Sequence, residues 1–498
     1  MVLTTQGELV AHHPRPTSWR CETTTSDNAL AHLGLNDIGG DVMGEQRNWP
    51  EPGNMADVIA QNCPPKMMKW LQQLDEGLLS ILNTIAEKGG GVWIVGGAPR
   101  DIMLSSEVTD IDLAVDLDPD TMMDLFPDAI KTGIEFGTLT LRGNNAMYEC
   151  TTLRTESQYV DGRRPQVVNW GTSLAQDLQR RDFTINAMAI DVSRMKLHDP
   201  HNGVLDLQRG LLRAVGHASL RLAEDGLRIM RAYRFMDRGG AGIWYPDENL
   251  ASALSDKRRM LSNVASERIW NEFKKILSGK NVSVILEMML KDEVLAMVLQ
   301  AEWNLASPIF DAISEFTEKD TDFLTVLSIL LSETDTMIIP QLLNKLKLSK
   351  FERDSVIGKL SRMGNIPLNE IGKLRIHRHV LGDEASKLLQ LEYLIRKNSI
   401  RLANGYADDC SLKELDEIII NSSKLKPLSF GDKSILDGNR LMRLTSIKSG
   451  PKLGHLKSWL HYIQIERDLQ TEQEMIQILS TIIWQNSDGD EWPKVQFP

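Results

Sequence analysis

Asp110 and Asp112 stand one residue apart in the run VGGAPRDIMLSSEVTDIDLAVD, residues 95–116, downstream of Gly96, Gly97 and Arg100. If IDLAV (111–115) is a strand, side chains at i and i+2 project together, and the two carboxylates share one face. Carboxylates so close repel each other. A hard divalent cation relieves that repulsion, and Mg²⁺ held by one or two carboxylates takes its other ligands from water and substrate phosphates. A D-x-D alone is most often surface charge. This one follows a strand, a glycine pair and a short helix with Pro99 in its first turn, where proline is favoured. Glycines between strand and helix let backbone N–H groups approach an anion, and the helix N-terminus adds a favourable field. Arg100 can add a full positive charge. A phosphate cradle followed by a metal pair is the arrangement of a nucleoside triphosphate site built for phosphoryl or nucleotidyl transfer.

Other candidates follow along the chain. Glu149, in the β-rich run MYECTTL (147–153), could bring a third carboxylate beside the first two, or simply face solvent. LQRRDFTINAMAI (178–190) sets Arg180, Arg181 and Asp182 directly before an apolar run. Arg181 suits a triphosphate and Asp182 a ribose hydroxyl; a salt bridge leading into a strand is the plainer alternative. In LRLAEDGLRIMRAYRF (220–235), Leu222, Ile229, Tyr233 and Met236 form an apolar stripe while Arg221, Asp225 and Arg228 share another face, continued by Arg231 and Arg234. Gly226 is costly inside a helix and points to a close approach. The Watson–Crick edges of cytosine and adenine both offer an amino donor beside a ring-nitrogen acceptor, whereas uracil and guanine present the reverse. One carboxylate and one guanidinium, Asp225 and Arg228, could therefore accept C and A and reject U and G by leaving buried polar groups unpaired.

These residues need a framework. Apolar spacing over 68–91 predicts a helix ending at three glycines, and VWIV (92–95), IDLAV (111–115), TLTL (138–141), MYECTTL and INAMAIDV (185–192) read as strands. From about residue 217 the pattern is almost wholly helical, with amphipathic stretches at 219–238, 266–278, 282–299, 321–332 and 455–483. Residues 1–66 carry no sustained periodicity and read as a loosely ordered extension.

The chain of 498 residues is long enough for several domains, and its 42% hydrophobic and 25% charged residues are those of a globular protein. Four scattered cysteines without a CxxC spacing exclude a disulfide framework or zinc knuckle and point to a reducing cytoplasm. No apolar run reaches the roughly 18 residues of a membrane span, so membrane insertion is not expected. The net charge is −12, yet residues 345–401 hold thirteen Lys or Arg against six Asp or Glu. That local surplus could serve as a footprint for a nucleic acid or could be a solvated helical face.

The ordered set GGAPRD…DIDLAVD, ECTTLRTESQYVDGRRP, DLQRRDFTINAMAI, DPHNGVLDLQRGLLRAVG, RLAEDGLRIMRAYRF and ASERIWNEFKKIL resembles the class II tRNA nucleotidyltransferases, the CCA-adding enzymes, whose relatives include bacterial poly(A) polymerases. The resemblance is strong over 92–278 and weaker through GPKLGHLKSWLHYIQIERDL (450–469). It implies an α+β chain: a polymerase-β-like head (67–216), then an all-helical neck with a base-reading helix (217–280), body (281–400) and tRNA-binding tail (401–498). It implies Mg²⁺ on Asp110 and Asp112, the pair to which the residues themselves add Glu149 as a candidate third catalytic carboxylate. Gly97, Arg100 and Arg181 would contact the triphosphate, Asp182 the ribose, and Asp225 and Arg228 the base, supported by Arg231 and Arg234. The implied activity is addition of C, C and A to the 3′ end of tRNA from CTP and ATP. An A-adding enzyme, a poly(A) polymerase and a silent RNA-binding relative remain the alternatives. Residues 154–170 resemble the flexible loop of full CCA-adders. Pro99, where the family usually has Val, and Gly226, where it usually has a larger residue, depart from its pattern without removing a functional group.

Overall fold

The computed structural model describes residues 48–144, 146–159, 165–171, 173–299, 308–317, 320, 322–404, 409–485 and 489–495. Among the described residues, ten strands build the sheets of the head: β1 (Ala60–Asn62), β2 (Val92–Val95), β3 (Asp112–Val115), β4 (Ile130–Gly133), β5 (Thr138–Arg142), β6 (Met147–Thr152), β7 (Arg154–Tyr159), β8 (Pro165–Trp170), β9 (Ala189–Asp191) and β10 (Lys196–His198), and a short strand at Leu211–Leu212 pairs with Tyr245–Pro246 beyond them. Eight form one mixed sheet in the order β1-β10-β9-β2-β3-β6-β5-β4, and β7 and β8 make a separate antiparallel pair. In the middle of the sheet, β3 runs antiparallel to β2 and parallel to β6, placing Asp112 opposite both Val95 and Glu149.

Alternation along these strands sorts the side chains into two layers. Ile94, Leu113 and Val115 are buried in the large core with Leu78, Leu82 and Ile85 of the Glu76–Glu87 helix. Trp93, Val95 and Ala114 are buried on the opposite face with Leu174 and Leu178 of the Leu174–Gln179 helix. Asp112 has the parity of Ala114, so its carboxylate emerges on the second face, beside the helix that leads into Arg180 and Arg181.

Several expectations shift in the folded chain. The helix expected over 68–91 is two, Pro65–Leu71 and Glu76–Glu87, because Asp75 caps the second by accepting from the N–H groups of Gly77 and Leu78. INAMAIDV is a strand only over Ala189–Asp191; Thr184–Asn186 is a 3₁₀ turn. Residues 48–66 are packed on the head: β1 pairs with β10, and the Asp57 carboxylate accepts from Ser173 Oγ at 2.6 Å and the Ala175 N–H at 3.0 Å. Such pairing depends on distant partners and leaves no periodic trace in so short a strand.

The neck begins with helices Ala218–Glu224 and Leu227–Met236 and continues through Ser266–Leu277. One apolar core runs from the head sheet through the neck into body helices such as Phe323–Leu331. A separate cluster of Leu436, Leu441, Leu456, Leu460 and Met475 holds the tail helices. The expected helix over 455–483 is Pro451–Arg467 and Glu472–Thr481, the second started by a capping box of Thr471 and Glu474. Among the described residues, no helix is long and apolar enough to cross a membrane.

Candidate nucleotide site

A cleft of about 240 Å³ opens on the second face of the sheet, lined by Val95, Asp112, Glu149, Arg154, Asp177 and Arg181 among others. Asp112 starts β3, so the strand is one residue shorter than the sequence suggested, and Asp110 lies outside it, exposed. Burial raises the Asp112 pKa; Arg181 opposes that shift, and repulsion from Glu149 and Asp110 adds to it. A half-buried acid crowded by two others fits a site for a hard cation. Among the described residues no three His, Cys, Asp or Glu side chains gather as a complete ligand set. Carboxylate oxygens are the kind of donor that suits Mg²⁺, which keeps waters and phosphates as its remaining ligands. Glu149 is exposed beside Asp112 on the neighbouring strand.

Gly96 connects β2 to the cradle with φ +77°, and a Cβ there would lie 2.4 Å from Asp112 Oδ2. Only glycine suits both the backbone and the carboxylate it faces. The Ala98–Met103 helix then starts at Gly97 with proline in its first turn, as the sequence indicated.

Of the groups expected at the triphosphate and ribose, Arg181 lines this cleft. Arg100 turns instead to the boundary with the neck. It donates from Nε and Nη2 to Asp101 at 2.8 and 2.9 Å and from Nη1 to Asn186 Oδ1 at 2.7 Å. Asp182 is buried there too. Its Oδ1 accepts from the Phe183 N–H and Asn186 Nδ2, and its Oδ2 from Arg231 Nε at 2.7 Å, with Arg231 Nη2 at 2.6 Å. Burial alone would raise this carboxyl; Arg231 and the hydrogen bonds hold it down to about 2. With its lone pairs taken by protein donors, Asp182 reaches a ribose hydroxyl only if one of them gives way.

Asp177 is a functional candidate that the sequence reading missed. Its buried carboxylate accepts from Arg180 at 2.5 Å on one oxygen and from Arg181 at 3.0 Å on the other. Burial works to raise its pKa, but Arg181 and Arg180 outweigh it and lower the value. The signal was its spacing of three and four residues before the arginines on a short helix. Glu272 plays a similar part on Ser266–Leu277, 3.0 Å from Arg234 and 4.0 Å from Arg231.

The segment expected to read the base is not one helix. The chain breaks at Asp225, which has extended dihedrals (φ −144°, ψ 108°), and a new helix starts after Gly226. Asp225 Oδ1 caps the Leu227 N–H at 3.0 Å, while Oδ2 accepts from Arg268 Nη2 at 3.0 Å. Gly226 meets the close approach expected of it in the protein's own backbone: a Cβ there would lie 2.5 Å from the Met260 carbonyl oxygen. Arg228 donates from Nη1 to the Arg221 carbonyl and Glu224 and from Nη2 to the Arg180 carbonyl. In these bonds Asp225 uses one acceptor position on each oxygen and Arg228 leaves its Nε–H and one Nη2–H. One carboxylate and one guanidinium thus keep the capacity to read a base edge. The apolar stripe holds as expected, with Leu222, Ile229, Tyr233 and Met236 fully buried.

The basic stretch 345–401 is partly neutralised within the fold. Lys373 pairs with Glu466 at 2.6 Å, Arg375 with Asp468 at 3.6 Å, Lys397 with Glu315 at 2.9 Å and Lys359 with Glu384 at 3.2 Å. Three of these acids lie outside the counted window and reduce its surplus of positive charge.

Comparison with known proteins places this geometry. Residues 92–213 match the "Poly A polymerase head domain" model, and 246–302 match "Probable RNA and SrmB- binding site of polymerase A". A CCA-adding enzyme of Streptococcus gordonii is 32% identical over 402 residues, 80% of this chain and 95% of the relative. The chain belongs to the CCA-adding enzyme family. Another family member, from Oceanobacillus iheyensis, is 31% identical over 80% of this chain and 94% of its own. The solved CCA-adding enzyme of Bacillus stearothermophilus in complex with CTP shares the family fold at TM-score 0.61 and 21% identity, over 84% of this chain and 98% of that one. That of Thermotoga maritima complexed with tRNA aligns at TM-score 0.53 and 19% identity, over 85% and 98%.

Proposed function

We propose that this enzyme adds C, C and A in turn to the 3′ end of tRNA from CTP and ATP, releasing pyrophosphate, with the order of bases set by protein side chains. The observation that carries this reading is the juxtaposition, in one cleft, of Asp112 with Glu149 and Arg181, beside a neck whose helix break presents Asp225 and Arg228. Asp110 and Asp112 would hold Mg²⁺, which when bound lowers the pKa of an attacking hydroxyl and offsets the charge of the triphosphate. Glu149 would assist them from the adjoining strand. Arg181, held by Asp177, receives the triphosphate together with Gly97, and Arg100 adds to them from the boundary side with the second N–H of each Nη, beyond its bonds to Asp101 and Asn186. Asp225 accepts the amino group of C or A, and Arg228 donates to the neighbouring ring nitrogen, with Arg231 and Arg234 behind them. Asp182 serves this arrangement by fixing Arg231. The tail and body helices would carry the tRNA. A cytoplasmic site of action goes with the reading, in keeping with the buried free thiols Cys63 and Cys150.

The test supplies tRNA ending before C, C or A with each labelled triphosphate separately. Incorporation of CTP on the first two ends and ATP on the third is expected. Incorporation of ATP alone on every end would reassign the chain to A-addition, and none with any triphosphate would leave a silent RNA-binding relative. Arg228→Ala should relax selection of CTP over UTP; an unchanged preference would remove that residue from the base-reading pair.

A further inference from the structure

Three arginines surround one aromatic ring at the boundary between head and neck. The guanidinium carbons of Arg100, Arg231 and Arg234 lie 5.1, 5.3 and 4.3 Å from the Phe235 ring centroid. Each cation has its own acid: Asp101 for Arg100, Asp182 for Arg231 and Glu272 for Arg234. Shared contact with the ring sets their spacing but does not by itself tie the head arginine to the neck arginines.

Asn186 makes that tie. It is 5% exposed, in the 3₁₀ turn after the Arg-Arg-Asp run. Its Oδ1 accepts from Arg100 Nη1 at 2.7 Å, its Nδ2 donates to Asp182 Oδ1 at 3.1 Å, and Asp182 Oδ2 accepts from Arg231 Nε at 2.7 Å. A primary amide can accept from a cation and donate to an anion at once. The reversed amide would set its NH₂ against a guanidinium and its oxygen against a carboxylate, so the charges on both sides fix its orientation. Asp in this place would keep the Arg100 contact but oppose Asp182; Ala would lose both.

We propose that Asn186 is a positioning residue that couples Arg100, on the phosphate side, to Arg231, on the base side, so that the two ends of the nucleotide site are set together. The inference rests on the nucleotide-site reading above, which assigns Arg100 and Arg231 to those ends. The groups it orients bind parts of the nucleotide present in ground state and transition state alike, so their loss weakens KM more than kcat.

The experiment measures CTP incorporation on tRNA ending before the first C for the full-length enzyme and for Asn186→Ala, Asn186→Asp, Arg231→Lys and the double variant Asn186→Ala/Arg231→Lys. Asn186→Ala should raise the KM for CTP about tenfold, the scale of one lost hydrogen bond to a charged group, with kcat and tRNA affinity within about threefold of wild type. Asn186→Asp should fall between wild type and Asn186→Ala, and it keeps the side-chain volume should the alanine variant fold poorly. The double variant should be no worse than its poorer single parent, because either change breaks the same chain. Multiplying effects in the double variant, a wild-type KM in both Asn186 variants, or a fall in kcat with KM unchanged would overturn the proposal. Asp112→Asn tests the underlying site separately: full activity there would sink the site reading whatever the Asn186 variants do.

Discussion

The head–neck boundary and the body are both well buried, yet they are built from opposite materials. At the boundary Asp177 and Glu272 are buried acids shared between cations, and buried Asp182 holds Arg231 by two nitrogens. In the body, every residue from Leu324 to Leu331 is buried, and the polar ones among them answer to local groups: Ser328 donates to the Leu324 carbonyl and Thr325 to Asp322. Desolvated charge is a poor way to stabilise a fold, since hydrophobic replacements of similar volume often do as well or better. It is a good way to hold arginines in a fixed geometry where a polyanion must arrive. On the proposed reading the charged layer serves the ligand, while the apolar body serves the fold.

Substitutions can break or sharpen this contrast. The largest effect belongs to Asp112→Asn, for which nucleotide incorporation should fall roughly 10³-fold, the scale of losing a preorganised electrostatic partner, with tRNA affinity nearly unchanged in a filter-binding assay. Asp177→Ala leaves two arginines without their buried partner and should cost about 3–5 kcal/mol of stability while also raising the KM for CTP. Ile329→Ala in the body should cost a comparable amount, about 2–5 kcal/mol, and leave KM alone. If denaturation and kinetics show the two variants alike in KM, the contrast between ligand-serving and fold-serving layers fails. Gly226→Ala pushes a methyl into the Met260 carbonyl and should cost about 1–3 kcal/mol as overpacking, with weakened CTP selection because Asp225 moves with it.

The smallest effect is a pH dependence confined to the helical half. Burial pushes the His377 imidazole down from 6.5 to about 4. The unfolded chain therefore takes up this proton near pH 6.5 and the folded chain only near 4. Stability from the neutral ring is complete above pH 6.5 and is lost as pH falls from 6.5 towards 4. Denaturation midpoints at pH 7.5 and 5 should show a smaller drop for His377→Leu than for wild type. The head–neck layer responds in the same direction but in a lower window: the depressed Asp182 carboxyl keeps its contribution down to about pH 4 and yields it only towards about 2.

Much of the site was legible because its chemistry is local in sequence. The glycine pair, the proline-started helix and Asp112 lie within one strand–turn–helix–strand unit, whereas Asp110 falls before the strand, so alternation places Asp112 alone. The two-residue period put Asp112 on a face; it could not tell that β6 would run parallel beside β3 and bring Glu149 opposite it. Arg100 and Asp182 were read by type and nearness to the motif, but their partners, Asn186 and Arg231, come from elements that only folding brings together. The break at Asp225 was hidden because the apolar stripe runs straight through it, and the Met260 backbone that closes on Gly226 there belongs to a 3₁₀ helix, Arg258–Asn263, more than thirty residues on.

Sequence by itself determined the kinds of groups available, the strands and helices that carry them, and the division into an α+β head and a helical remainder, because propensity and periodicity act over a few neighbouring residues. Tertiary structure alone decided which acid distant in the chain holds which arginine, how far the basic body stretch is neutralised, and where the segment around Asp225 bends. Those outcomes turn on desolvation and Coulomb interactions between residues far apart in the chain, and these have no magnitude until burial sets the local dielectric.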